Sequence, residues 1–207
     1  MNERLIIFDL DGTLYKTEEV SVPALKEAFQ SFGIELTDEE ILDQFGEPTE
    51  QIIDNLVPAE KIHLKDEIEE SIIEKERETI PDKATLYEGI KEVLETLKDS
   101  GDELAICSNG RTDYIEHVLK ITSIRDHFSS IKGYTDGKTK SDNILELMEK
   151  YSTDRAVMVG DRYHDIEAAE KAGIPSIGAL YGYGGEEAKN ADHTAEEPRD
   201  IVSILQD

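Results

Sequence analysis

Asp9 and Asp11 stand two residues apart, directly after the apolar run Leu5-Ile-Ile-Phe8. Two carboxylates at the end of a buried strand are costly unless something compensates their charge. Asp161 and Asp165 follow a second apolar run, residues 156–159. If both runs end at one crevice, four acids meet there. A hard divalent cation is the natural compensation, and oxygen-only ligation favours Mg²⁺, which keeps waters and commonly brings a phosphate with it. Ser108, with the amides of Asn109 and Gly110, offers donors for phosphate oxygens at a helix start. Lys140, or Lys138 two residues before it, could add a positive charge at the start of the next helix. The chemistry these residue types support is Mg²⁺-assisted phosphoryl transfer.

The elements around them are legible from periodicity. Residues 4–8, 103–107, 129–133, 156–159 and 176–177 are short apolar runs that read as buried strands. Helical patterns separate them from residue 86 onward: 89–97, around 114–119, 144–148 and 166–172. Short apolar strands alternating with helices predict a parallel sheet covered on both faces. Asp9 and Asp11, Ser108 and Asn109, and Asp161 and Asp165 all follow predicted strand ends, and that edge of an open α/β sheet is where ligands bind. Residues 22–80 are helical throughout. Pro23 suits a helix first turn, Thr37 with Glu40 forms a capping box, Pro48 and Pro58 open further helices, and Pro81 closes the block.

Composition sets the boundaries. The chain has 207 residues and a formal net charge of −26. Residues 16–82 hold 20 acids and six bases, a shift that suggests a separate unit with solvated helix faces. So acidic a chain lacks the basic footprint of a nucleic-acid binder and is repelled by anionic membranes. Cys107 is the single cysteine and can form no internal disulfide. Neither a secretory apolar region in the N-terminal stretch nor a membrane-length apolar window is present. The expectation is a cytoplasmic protein.

The ordered motifs resemble those of the haloacid dehalogenase superfamily. Asp9-Leu-Asp11-Gly-Thr-Leu14 resembles its first motif, Ser108-Asn109-Gly110 its second, Lys140 its third, and Gly160-Asp161-Arg-Tyr-His-Asp165 its fourth. Gly46-Glu-Pro48, Tyr181-Gly-Tyr-Gly184 and Ala191-Asp192-His193 resemble elements of the phosphoglycolate phosphatase-like branch. The resemblance covers essentially the whole chain. It implies a Rossmann-like three-layer core, residues 1–15 and 83–207, with an inserted all-helical cap, residues 16–82. It implies Asp9 as a nucleophile forming an aspartyl-phosphate and Asp11 as general acid and base. Ser108 and Lys140 would bind the phosphoryl group, with Asn109 and Gly110 beside them. Mg²⁺ would sit on Asp9, the backbone carbonyl of Asp11, and Asp161, with Asp165 as ligand or support.

An acid at position 11 disfavours the dehalogenases and phosphonatases of that superfamily, which have no alcohol leaving group to protonate. It leaves two enzyme readings: a phosphatase for small phosphorylated metabolites and a phosphomutase. A catalytically silent binding module with the same fold is the non-enzyme alternative. A monomer and a homodimer both remain open. Lys16 stands where many relatives carry an acid, and it could alter cap hinging or place a charge near substrate. Arg111 could reach substrate. Cys107 and His164 are read as packing and peripheral.

Overall fold

The computed structural model describes residues 4–206; residues 1–3, part of the N-terminal stretch read above, and residue 207 lie outside it. Six parallel strands form one sheet: β1 (Leu5–Phe8), β2 (Glu103–Cys107), β3 (Ser130–Lys132), β4 (Ala156–Gly160), β5 (Ser176–Ala179) and β6 (His193–Ala195), in the order β3-β2-β1-β4-β5-β6. β1 is central, with Leu5 opposite Glu103 on one side and Ala156 on the other. Alternate residues of each strand enter different cores, because successive side chains of a strand face opposite ways. Ile6, Phe8, Leu104 and Ile106 join one cluster, while Leu5, Ile7, Ala105 and Cys107 join the other. Both faces are covered, by α5 (Ile90–Asp99), α6 (Thr112–Ile121) and α9 (Asp200–Gln206) on the first and by α7 (Lys140–Tyr151) and α8 (Tyr163–Ala172) on the second. This is the expected α/β architecture, with two additions. β6 and α9 were not read from the sequence; β6 is a three-residue edge strand with two exposed residues and so leaves no apolar run.

Between β1 and β2 lies the helical cap: α1 (Glu18–Ser31), α2 (Asp38–Leu42), α3 (Thr49–Leu56), a 3₁₀ segment (Ala59–Leu64) and α4 (Lys65–Lys83). It has its own core of Leu25, Phe29, Ile41, Ile53, Ile68 and Ile72. The capping box at Thr37 and Glu40 is present.

Pro48 opens α3 as expected, but three other prolines differ from expectation. α1 begins at Glu18, so Pro23 lies in its second turn. Thr17 precedes that helix without capping it; its hydroxyl goes to Asp11, and the Glu18 amide is met instead by the Tyr183 hydroxyl at 3.0 Å. Pro58 opens the 3₁₀ segment, and the long helix starts only at Lys65. Pro81 lies inside the last turn of α4, which runs on to Lys83. Ile80 is 1% exposed in the main core, and its burial holds the helix through a residue that otherwise disfavours helical geometry before it. Among the described residues no helix is long and apolar enough to cross a membrane.

Candidate functional site

Strands β1, β2 and β4 end side by side, and the loops after them bring the sequence-predicted residues to one cavity of about 70 Å³ between sheet and cap. Asp9 is fixed at the end of β1 by its amide, which donates to the Val159 carbonyl at 2.8 Å. Its carboxylate accepts from Lys140 Nζ at 2.8 Å, and the same ammonium also donates to Asp165 Oδ1. Lys140 therefore lies inside the site. Lys138 is partly exposed and pairs with Glu146. Burial works against the Lys140 charge, but Asp165 and Asp9 outweigh it and raise its pKa.

Asp11 points a different way. Its Oδ1 accepts from the Thr17 hydroxyl at 2.7 Å and the Tyr114 hydroxyl at 2.8 Å, and its Oδ2 accepts from Ser108 at 3.5 Å. Burial raises its pKa, against the pull of Thr17, Tyr114 and Lys140. Asp9 is also raised well above the ordinary carboxylate value, first by burial. Ser108 Oγ accepts from the Gly110 amide at 3.1 Å, closing a tight turn at the start of α6. Asn109 lines the same cavity and donates from Nδ2 to the Gly46 carbonyl at 2.8 Å, joining core to cap.

Asp161 is fully buried and is held by the amides of Tyr183 at 2.8 Å and Gly184 at 3.2 Å and by the Thr13 hydroxyl at 3.1 Å. Burial pushes its carboxyl up to about 7. Two glycines make this packing possible. A Cβ on Gly184 would lie 1.6 Å from the Asp161 carbonyl oxygen, and Gly12, at φ +73°, would drive one within 2.4 Å of Asp161 Oδ2. Asp165 caps α8, accepting from the Arg162 amide at 3.0 Å.

One carboxylate oxygen each from Asp9, Asp161 and Asp165 lie within 4.8 Å of one another. The Asp11 side chain is not in this trio; only its backbone carbonyl is free for the role the family resemblance gives it. The donor set fits a hard divalent cation: all oxygen, buried, and carrying more negative charge than Lys140 alone can offset.

Two residues of the cavity, Tyr114 and Glu76, were weakly read or missed, and Lys16 stands apart from it. Tyr114 binds Asp11 but carried no sequence signal beyond its place on an apolar helix face. Lys16 lies over the Tyr87 ring, 6.0 Å from its centroid, and does not line the cavity. Glu76 was missed outright, although it occupies an i, i+4 stripe with Ile68, Ile72 and Ile80 on α4, all buried. An acid on an apolar stripe is the signal that could have found it. His164 is part-buried, and burial lowers its pKa; it faces Glu47 at 3.3 Å. Cys107 is buried beneath Lys140, and burial pushes its thiol up to about 12, so it is packing, as expected.

Glu76 gives a pH prediction. Burial pushes its carboxyl from 4.5 up to about 7, against Arg111. The unfolded chain therefore releases this proton first, and the contribution to stability falls as pH rises from about 4.5 to about 7, then levels. Glu76→Gln removes that loss. The variant should gain on the order of 1–3 kcal/mol over the parent at pH 8 and nothing below about pH 4.5. Urea unfolding at both pH values measures it, and an equal gain at the two would contradict the assignment.

The comparisons with known proteins agree with this geometry. The haloacid dehalogenase-like hydrolase family model matches residues 6–179. A phosphoglycolate phosphatase of Vibrio parahaemolyticus is 28% identical over 98% of this chain and 96% of its own length. Pyrophosphatase PpaX of Listeria monocytogenes is also 28% identical, with the same coverage. The crystal structure of a predicted phosphoglycolate phosphatase from Haemophilus somnus shares the fold, with a TM-score of 0.90 over 99% of both chains at 22% identity. With the match extending through all four motifs, the chain belongs to the haloacid dehalogenase-like hydrolases.

Proposed function

We propose that this hydrolase is a Mg²⁺-dependent phosphatase of small phosphate monoesters, working through an aspartyl-phosphate on Asp9. The observation that carries the reading is the contrast between the two acids of the first motif. Asp9 is paired with the Lys140 ammonium and held ready as a nucleophile. Asp11 is turned to the Thr17 and Tyr114 hydroxyls instead; burial raises both acids, so their different partners set them apart. Environments that divide two carboxylates in this way assign them different tasks.

In the first step the Asp9 carboxylate attacks phosphorus as the ester P–O bond breaks. Asp11 gives its proton to the leaving alkoxide. In the second step Asp11 takes a proton from water. The resulting hydroxide attacks phosphorus, the Asp9–phosphorus bond breaks, and phosphate leaves. Lys140, Ser108 and the Gly110 amide neutralise and orient the phosphoryl oxygens. Asp9, Asp161 and Asp165 would hold Mg²⁺, with the Asp11 carbonyl completing the protein's share. The bound ion supplies charge compensation between Asp9 and the phosphate.

The phosphoglycolate phosphatase and the pyrophosphatase that the chain resembles support water, rather than a second phosphorylated sugar, as the acceptor. The reading also takes residues 16–82 as a cap that opens to admit substrate, and it places the protein in the cytoplasm.

The test is hydrolysis of p-nitrophenyl phosphate with Mg²⁺, after EDTA, and after Mg²⁺ is restored. Activity should be lost and regained. No hydrolysis of any phosphoester with Mg²⁺ would end the reading. A binding signature accompanies it: millimolar Mg²⁺ should raise the melting temperature of chelated protein, since an ion that binds only the folded state stabilises it by about 2.7 kcal/mol at a hundredfold excess over Kd. Scanning calorimetry with Asp161→Asn as control checks this; an equal rise in that variant would place the ion elsewhere.

A further inference from the structure

Glu76, Arg111 and Ser21 line the same cavity and take no part in phosphoryl transfer as described. They come from three elements: α4, the turn before α6, and α1. The Ser21 hydroxyl donates to Glu76 Oε1 at 3.3 Å, an Arg111 amino group lies 3.5 Å from Glu76 Oε2, and the other lies 3.4 Å from the Thr49 hydroxyl. Each of these contacts is at the long edge of hydrogen bonding. Arg111 Nε is buried with no hydrogen bond; Asp113 Oδ1 is 3.4 Å away, within ion-pair range but misaligned. This is a buried polar group whose hydrogen-bonding capacity is largely unused, and leaving that capacity unused is expensive.

The charges in the cavity narrow what can use it. Lys140 is committed to Asp9 and Asp165, Arg111 faces Glu76 and Asp113, and Arg162 pairs with Glu187 at 3.0 Å. Every cation among these wall residues already has an acid. A carboxylate on the leaving group would meet Glu76 with no spare cation. A neutral leaving group with hydroxyls meets the reverse case: Glu76 accepts from them, and Arg111 and Ser21 complete the set. Leu25 and Phe45 line the same cavity and offer apolar surface to its C–H face. The volume limits it to a few carbons.

We propose that Glu76, Arg111 and Ser21 form a leaving-group subsite that selects a small polyol or sugar phosphate over a carboxylate-bearing ester such as phosphoglycolate. The inference rests on the phosphatase reading and names its substrate class.

The experiment measures kcat and KM, with Mg²⁺, for glycerol 3-phosphate, ethyl phosphate and phosphoglycolate on the parent, Glu76→Gln, Glu76→Ala and Ser21→Ala; p-nitrophenyl phosphate monitors phosphoryl transfer itself. The parent should favour glycerol 3-phosphate over both others by at least about tenfold in kcat/KM, the worth of one charged hydrogen bond. Both Glu76 variants should shrink the preference over phosphoglycolate about tenfold, mainly through KM. Ser21→Ala should weaken glycerol 3-phosphate relative to ethyl phosphate. Ratios within one variant cancel any loss of folded protein. A parent that prefers phosphoglycolate, or ratios that both Glu76 variants leave unchanged, overturns the subsite. So does a parent that hydrolyses p-nitrophenyl phosphate and none of the three esters, with the phosphatase reading left standing. Failure on all four substrates overturns the phosphatase reading itself.

Discussion

Asp9→Asn should lower Mg²⁺-dependent hydrolysis of p-nitrophenyl phosphate by about 10⁴-fold or more, the scale at which loss of a covalent nucleophile is felt. Asparagine keeps the size of the side chain and the amide contact to Val159 that fixes the end of β1. It removes the negative oxygen that faces Lys140 at 2.8 Å. The variant also relieves a buried acid whose pKa burial pushes well up, so it should fold at least as well as the parent. A folded, inactive protein is therefore the expected outcome, read by steady-state rates alongside circular dichroism. Parent-like turnover in Asp9→Asn would remove Asp9 from the nucleophile's place and direct attention to water as the direct attacking group.

Asp11→Asn should separate the two half-reactions. p-Nitrophenolate leaves without a proton, so the first step needs Asp11 little, whereas the second step still needs a base to activate water. The variant should release a burst of about one p-nitrophenolate per chain, then turn over about 10²–10⁴-fold more slowly than the parent. With an alkyl phosphate, whose leaving group requires protonation, the burst should vanish. Stopped-flow absorbance reads the burst, and acid-quenched protein run through mass spectrometry reads the trapped phosphoryl group. A uniform slowing with no burst would mean that Asp11 only positions its neighbours. Thr17 and Tyr114, which hold Asp11 at 2.7 and 2.8 Å, make that distinction worth drawing.

Much of this site is legible without coordinates because its acids sit where the period of the sequence changes. An apolar run such as Leu5-Ile-Ile-Phe8 reads as a buried strand, and a carboxylate straight after it must be accounted for. The ordered motifs add the register between strands. What stays hidden is whatever depends on contacts across long stretches of chain. The start of α1 is one case: its amide is met by a hydroxyl from residue 183, while Thr17, at the N-cap position, serves Asp11 instead. Glu76 is another. On so acidic a helix it passes for one more solvated residue; its stripe of isoleucines turns it inward, and only the fold brings Ser21 and Arg111 to meet it. Lys138 and Lys140 are told apart only in space: Lys140, the first residue of α7, meets Asp9, while Lys138, ahead of the helix cap, meets Glu146.

The sheet order carries a consequence for how the chain matures. β1 is the first strand made, yet it lies between β2 and β4, whose residues follow it by about a hundred and a hundred and fifty positions. Helices α1 to α4, by contrast, draw most of their core from within one continuous stretch. Local contacts close quickly and distant ones late, since each long loop must be gathered before its contact can repay it. On a growing chain the cap can acquire its core while Asp9 still has no neighbour on its β4 side. The repulsive company of Asp161 and Asp165 reaches Asp9 only with the last third of the chain, when Lys140 is already present to receive it. Assembly in this order spares the unfinished protein its most strained electrostatics until the groups that offset them are in place.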